Sequence, residues 1–282
     1  MKPRPSIAIV TDSTADIPNE LLDHYEIHMV NNYIMIDGKS FEDRKDLTRE
    51  EFYAALPRMK TFPTTATASS GTYQSLYEQL LSQGKEIILS IHISGRLSGI
   101  LNAASAAASS FANRVKVIDS QSVSMGLGFQ VLAAAEAVRE GLGFEEILNL
   151  LAELRKRIKL VAMLDTIEYL HRSGRVSWAR ARLGELLRIK PFVEVLNGQV
   201  LSLGETRTYQ KGFARLVEIL RRIDPIEKLA ILHTNAEDRA QQLLEEVKDI
   251  SPKQVLTVNV TSVIGSHVGP NGLGFTAILK QS

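Results

Sequence analysis

The stretch "SIAIVTDSTADIP" (residues 6–18) decides the fold class, because it passes from an apolar run into polar residues and then into a helix-start signal. The unbroken apolar run at residues 7–10 predicts a buried strand. Asp16, followed by Ile17 and Pro18, predicts a helix with Asp16 as its N-cap and proline at an early position. A strand, a loop and a helix in this order are typical of α/β folds.

Further strands follow the same pattern in the first half of the chain. The segments "EIILSIHIS" (86–94) and "VKVIDS" (115–120) are apolar up to their last residues and are separated by helical segments. Thr48 and Glu51 have the spacing of a capping box, and Gly84 closes a helix that begins near Thr72. Strands without a polar face predict a parallel sheet covered by helices on both sides.

The second half predicts a different sheet. In "PFVEVLNGQVLSLGETR" (191–207), Asn197-Gly198 lies between two alternating runs, which is the pattern of a β-hairpin. Helices at about 208–223 and 236–249 separate the later strands. We therefore predict an α/β fold of two domains: a parallel-sheet α/β sandwich at 1–158, and an α/β domain with a partly antiparallel sheet at 159–282.

Composition excludes several classes of function. The 282 residues carry 33 basic and 32 acidic side chains, a formal net charge of +1, and no long basic run, which argues against a nucleic-acid partner. The absence of cysteine excludes disulfides, thiolate catalysis and cysteine metal sites, and no metal site is predicted. No run reaches the roughly 18 apolar residues of a membrane span. With no signal-peptide core at the N-terminus, we expect a cytoplasmic protein without membrane insertion.

Hydroxyl groups follow the predicted strands where α/β folds bind ligands. Thr11, Asp12 and Ser13 follow the first strand, whereas Ser94 and Ser98 follow the strand at 86–94. Each of them could also cap the helix that comes next. Their occurrence together indicates a polar site at the carboxyl ends of the strands.

The segment "SVIGSHVGPNGLGF" (262–275) places His267 among four glycines, which predicts a loop shaped around a ligand. Nucleotide-binding and hydrolase motifs are absent. Gly38-Lys39-Ser40 looks like the end of a phosphate-binding loop, but position 33 is tyrosine where that motif needs glycine. No G-x-S-x-G sequence is present. The residues therefore favour ligand binding without ATP chemistry.

The order of several motifs resembles the DegV family. These are "IVTDSTADIP", "PTTATASSGTY", "IHISGRLSG", "VIDSQSVSMGLG", "LDTIEYLHRSGRVS", "LGELLRIKPFVEVLNGQV", "ETRT" and "GSHVGPNGLG". The family resembles the fatty-acid-binding subunit of bacterial fatty acid kinase. This implies a carrier that buries a long-chain fatty acid in a tunnel between two α/β domains and presents the carboxylate to a separate ATP-dependent kinase, which makes the acyl phosphate. The resemblance implies no cofactor and no catalytic activity of the carrier itself.

The resemblance also assigns roles to residues of the predicted site. Thr65 aligns with the carboxylate-binding threonine, although the family's following Gln and Pro are absent. Ser94 and Ser98 match the serine-rich turn, with Gly95 in place of a second serine. His267 matches a histidine near the acyl head group, and Arg207 an arginine near the tunnel mouth.

Two further assignments complete the predicted site. Asp12 and Ser13 would support its floor. The arginine-rich segment 171–188 is a candidate docking surface for an acidic kinase, or simply a solvated helical face.

Two alternatives remain open on sequence grounds. One is a serine hydrolase or acyl transferase with Ser94 or Ser98 as nucleophile, His267 as base and Asp12 or Asp119 orienting it. The other is a carbonyl-binding subunit of the dihydroxyacetone kinase type, in which His267 would bond a small ketone. A reactive-serine probe would distinguish the first, and a polar ligand pocket the second.

Overall fold

The computed structural model describes residues 6–180 and 189–281. The chain divides into two compact units, each discontinuous in sequence. The first comprises the described residues up to Tyr33 together with Ala66–Lys156, and the second comprises Ile34–Thr65 together with the described residues from Arg157 onward. The α/β, two-domain class predicted from the sequence is confirmed.

The elements alternate between strands and helices along the chain. The strands are β1 (Ile7–Asp12), β2 (His28–Val30), β3 (Tyr33–Ile36), β4 (Lys39–Glu42), β5 (Thr64–Ala66), β6 (Ile87–His92), β7 (Val115–Asp119), β8 (Ile158–Met163), β9 (Lys190–Leu196), β10 (Gln199–Thr206), β11 (Ile226–His233), β12 (Val255–Asn259) and β13 (Leu273–Leu279). The helices are α1 (Asn19–His24), α2 (Arg49–Ala55), α3 (Ser70–Ser82), α4 (Ile100–Ala108), α5 (Met125–Arg139), α6 (Phe144–Arg157), α7 (Glu168–Ser173), α8 (Ser177–Arg180), α9 (Tyr209–Arg222), α10 (Glu237–Glu246) and α11 (Ser262–Val268).

The first unit is built on a parallel sheet of order β2-β1-β6-β7, as predicted. Every residue of β1 is buried, because helices cover both faces of a parallel sheet. Val10 pairs with Ser90, and His92 pairs with Asp119. This register brings the carboxyl ends of β1, β6 and β7, with their hydroxyl-rich turns, to one edge of the sheet.

The second unit contains a mixed sheet of order β10-β9-β8-β13-β11-β12. Its strands pair antiparallel except for β11 and β12, which run parallel. The predicted hairpin is confirmed: β9 and β10 are joined at Asn197-Gly198, both with positive φ, as a tight two-residue turn requires. Apolar side chains of β8, β11 and β13 form its core with α9 and α10.

Segment 34–65 packs with the second unit, whereas the predicted boundary near residue 158 had placed it in the first domain. Its helix α2 begins with the predicted capping box of Thr48 and Glu51. Phe52 and Tyr53 of α2 are buried in one cluster with Tyr169. The stretch PTTATASSG (63–71) lies at one end of this segment, but only the tertiary contacts reveal which unit the segment joins.

The predicted start of the first helix is wrong. Asp16 does not cap α1; it has a left-handed φ of 59° at the end of a short 3₁₀ turn, and its carboxylate accepts a 2.6 Å hydrogen bond from the Ser124 hydroxyl. The helix begins at Asn19, after Pro18, without a side-chain cap. The Asp16 carboxylate thus bonds to Ser124, which is distant in sequence, and does not take the N-cap position that the local pattern predicted.

Candidate functional site

The serine-rich turn after β6 carries two hydroxyl groups that differ in accessibility. Ser94 is fully buried, and its Oγ accepts a 3.2 Å hydrogen bond from the Arg96 N–H. Ser98 is half-buried, and its Oγ accepts a 3.3 Å bond from the Ile100 N–H. Because an accepting hydroxyl keeps its own hydrogen, Ser98 can still donate to a ligand oxygen. Of the two hydroxyl groups, that of Ser98 is therefore the more accessible to a ligand.

Asp12, the last residue of β1, and Ser13, which follows it, are buried. Both side chains accept hydrogen bonds from other groups of the first unit. One Asp12 oxygen accepts from the backbone N–H and the hydroxyl of Thr14. Its other oxygen is 2.9 Å from His92 Nδ1 and 3.3 Å from the Ile93 nitrogen. Ser13 Oγ accepts from Asn32. Of these bonds, the two to His92 and Ile93 tie the end of β1 to the end of β6.

His92 joins this arrangement to a buried hydroxyl chain. Its Nε2 is 2.7 Å from Ser90 Oγ, which in turn is 2.8 Å from the Tyr77 hydroxyl. Ser90, His92 and Asp12 thus have the connectivity of a nucleophile, base and acid. All three side chains have zero exposure, so no substrate can reach Ser90 in this conformation. We interpret the chain as a fully satisfied core network that holds the β1 and β6 ends together.

The two carboxylates of the hydrolase alternative make their hydrogen bonds within the first unit. Asp12 bonds as described above, whereas Asp119 accepts from the backbone N–H groups of Gln121, at 2.7 Å, and Gly95, at 3.3 Å. An acid that orients a catalytic histidine must accept from its ring N–H. The only histidine to which either carboxylate bonds, among the described residues, is His92.

In the second unit, Thr65 and His267 form a side-chain pair. Thr65 Oγ1 on β5 lies 3.0 Å from Nε2 of His267, and both side chains are half-buried. Burial, together with the nearby positive charge of Arg175, lowers the pKa of His267 to about 4. The imidazole is therefore neutral at neutral pH, and the pair offers neutral hydrogen-bonding groups.

His267 lies on a helix, which corrects the prediction of a glycine-rich loop. It is in the last turn of α11, which begins at the Thr261 cap and ends at Gly269. A Cβ at Gly265 would stand 2.7 Å from the ring of Tyr53, so glycine is needed there for close packing. Gly269 has a φ of +79° and lies against the ring of Tyr169. The glycines thus let two aromatic rings pack against the helix that carries His267.

The arginine whose charge acts on His267 is Arg175, which no sequence motif marks individually. Arg175 follows α7, and its guanidinium donates a 2.6 Å bond to the Ser173 carbonyl. The signal was present, since Arg175 belongs to the arginine-rich segment 171–188. Of that candidate docking surface, residues 181–188 lie outside the described residues.

Arg207 is exposed and directly follows β10 in the second unit. No described contact joins Arg207 to Thr65 or His267. Its predicted role near the head group rests on the resemblance alone.

Within residues 6–180 and 189–281, no group of three or more His, Cys, Asp or Glu side chains could hold a metal ion. No helix in the described part of the chain is long and apolar enough to cross a membrane.

This chain is similar to known proteins along nearly its whole length. Residues 6–280 match the sequence model of the family described as "Uncharacterised protein, DegV family". A DegV domain-containing protein of Deinococcus radiodurans is 35% identical over 274 residues, which are 95% of this chain and 97% of that protein.

Two solved structures share the fold. One, described as "Fatty Acid Binding of a DegV family Protein from Thermus thermophilus", is 32% identical with a TM-score of 0.91, over 98% of this chain and 100% of that chain. The other, described as DegV, a fatty acid binding protein from Bacillus subtilis, is 32% identical with a TM-score of 0.86, over the same shares of both chains.

Proposed function

Because this chain belongs to the DegV family, we propose that it binds a long-chain fatty acid and presents the carboxylate to a separate ATP-dependent fatty acid kinase. The observation that carries the proposal is the full-length likeness to two structures described as fatty acid binding, each at 32% identity. In this proposal the chain is a carrier without catalytic activity of its own, and the kinase converts the bound acid to an acyl phosphate.

The Thr65–His267 pair suits a carboxylate that must remain reactive. With His267 neutral, its Nε2–H can donate to Thr65 Oγ1, and the Thr65 hydroxyl can then donate to a carboxylate oxygen. Neutral donors hold the carboxylate in place and leave most of its negative charge available. A buried ion pair would instead neutralise the oxygen that has to attack the phosphoryl group. We assign Thr65 and His267 of the second unit to the head group. The roles of Ser98, Ser94, Asp12 and Ser13 in the first unit stay predictions from the sequence.

The apolar tail supplies most of the affinity in this proposal. Burial of each methylene contributes about 0.8 kcal/mol, so a sixteen-carbon acid gains on the order of 10 kcal/mol before ordering costs. A hydrogen bond to the head group adds only about 0.5–1.5 kcal/mol. The head-group residues therefore fix the position of the carboxylate more than they determine retention of the lipid.

The first experiment identifies the ligand directly. The purified full chain is denatured and extracted, and any co-purified lipid is identified by mass spectrometry. The delipidated protein is then titrated with palmitate and, as a control for non-specific apolar binding, with hexadecanol. We expect a bound fatty acid and a clear preference for the carboxylic acid. If extraction yields no acyl lipid and palmitate does not bind, the carrier function is refuted.

A second experiment tests presentation to a kinase. Arg207→Ala should leave palmitate affinity unchanged and lower acyl phosphate formation by the partner kinase, because an exposed cation can meet the transferred phosphate. Arg222→Ala is the matched control, since Arg222 is another exposed arginine, paired on α9 with Glu218. An Arg207→Ala protein that loses palmitate but keeps normal turnover would contradict this assignment. The chain alone should not hydrolyse ATP.

A further inference from the structure

A polar pocket lies in the second unit, at the carboxyl ends of the parallel strands β11 and β12. Its volume is about 620 Å³, and neither Thr65 nor His267 lines it. In α/β sheets this end of parallel strands is where ligands are usually bound. Pockets of a few hundred Å³ with converging polar groups are of a size that accepts small molecules. The fatty-acid proposal gives this pocket no role.

His233, the last residue of β11, provides a donor in the wall of the pocket. Only 6% of the residue is exposed. Its Nδ1 accepts a 3.1 Å hydrogen bond from the Ala236 N–H, which places the ring hydrogen of the neutral imidazole on Nε2. Among the residues that the structure describes, none bonds Nε2. Burial lowers the pKa of His233, which favours the neutral ring.

The first turn of α10 adds donors beside His233. The leading N–H groups of a helix have no partner within it, and α10 has no side-chain cap. Arg239 also lines the pocket and is half-buried. Its guanidinium carbon lies 4.4 Å from the centre of the Tyr209 ring. His233, the first turn of α10 and Arg239 therefore give this wall of the pocket several hydrogen-bond donors.

The rim has the opposite character. The carboxylates of Glu50, Glu237 and Asp238 are exposed and line the same pocket. Asn259 bridges rim and wall, because its Nδ2 donates to Glu50 Oε1 and its Oδ1 accepts from the Asn235 N–H, each at 3.0 Å. An anion would meet the donors but be repelled by the rim, whereas a cation would meet the rim but be repelled by the wall. A hydroxyl group donates and accepts through one oxygen, and it carries no charge.

We propose that this pocket binds a neutral polyhydroxylated small molecule, of the sugar or cyclic polyol class. His233 Nε2–H donates to one ligand hydroxyl, and the rim carboxylates accept from others. Neither Thr65 nor His267 lines this pocket, so a negative result for fatty-acid binding does not refute this proposal.

Two isosteric variants isolate the role of His233. His233→Asn places an amide oxygen where Nδ1 accepts from Ala236, but removes the Nε2 donor. His233→Gln places an amide N–H where Nε2 lies, but removes the acceptor for Ala236. Binding of D-glucose, D-galactose and myo-inositol to the full chain is followed by the amide NMR signals of Ala236 and Asn259, with sodium phosphate and spermidine as charged probes.

We expect saturable shifts with at least one neutral probe. His233→Asn should weaken this binding by up to about tenfold, the upper range for one neutral hydrogen bond, and His233→Gln should weaken it less. Palmitate binding should not change in either variant. Absence of saturable shifts with all three neutral probes, tighter binding of phosphate or spermidine, or unchanged binding to His233→Asn would each overturn the proposal.

Discussion

Acidification should destabilise this protein through His267, and the size of the effect follows from its environment. The folded chain holds the pKa of His267 at about 4, compared with 6.5 for an unperturbed histidine. Between about pH 4 and pH 6.5, His267 is protonated in the unfolded chain and neutral in the folded chain. The free energy of unfolding therefore falls as pH drops through 6.5, and this loss is complete below about 4.

The magnitude can be calculated from the two pKa values. The difference of about 2.5 units corresponds to about 3 kcal/mol at full effect. Between about pH 7 and pH 5, the unfolded histidine becomes almost fully protonated while the folded one stays neutral, which costs about 2 kcal/mol. His267→Gln should lack this component, because glutamine does not titrate.

The measurement is equilibrium urea unfolding of the delipidated chain at the two pH values. Wild type should lose about 2 kcal/mol more than His267→Gln. Arg175→Gln should reduce the difference, because the arginine contributes to the lowered pKa. Equal losses in wild type and His267→Gln would refute the assigned pKa and, with it, the neutral Thr65–His267 pair.

Three further outcomes are expected. Thr65→Val removes the hydroxyl, and palmitate affinity measured by titration should fall about three- to tenfold, with Thr65→Ser closer to wild type; an unchanged affinity would exclude the hydroxyl from the site. Gly265→Ala brings a Cβ against Tyr53 and should lower stability by about 1–3 kcal/mol in thermal unfolding, while the control Gly71→Ala, which meets only ordinary contacts, should not; equal melting temperatures would contradict the close packing. His92→Phe leaves a buried carboxylate without its ring partner and should cost about 3–5 kcal/mol in urea unfolding, and a loss below about 1 kcal/mol would show that the network is dispensable.

The class of fold followed from local patterns. Strands such as β1 and β6 are unbroken apolar runs, and burial on both faces is what such runs require in a parallel sheet. The β9–β10 hairpin and the Thr48 capping box depend on neighbours within a few residues, so their local sequence was sufficient. The motif order likewise indicated the DegV family, and the comparisons confirm it.

Contacts between distant segments decided what the sequence could not. Asp16 leaves its capping position because Ser124, more than a hundred residues away, donates to it. Segment 34–65 joins the second unit because Phe52 and Tyr53 find their apolar partners there.

The candidate site shows the same division. The sequence supplied Thr65 and His267 as separate candidates, but their 3.0 Å contact spans 202 positions along the chain and exists only in the folded structure. The lowered pKa of His267 likewise depends on burial and on Arg175, neither of which a local pattern records. Local propensities act over a few residues, whereas desolvation and side-chain pairing depend on which segments the fold brings together. The sequence by itself therefore determined the chemical groups that this protein has available, and only the tertiary structure decided which of them meet and in which protonation state.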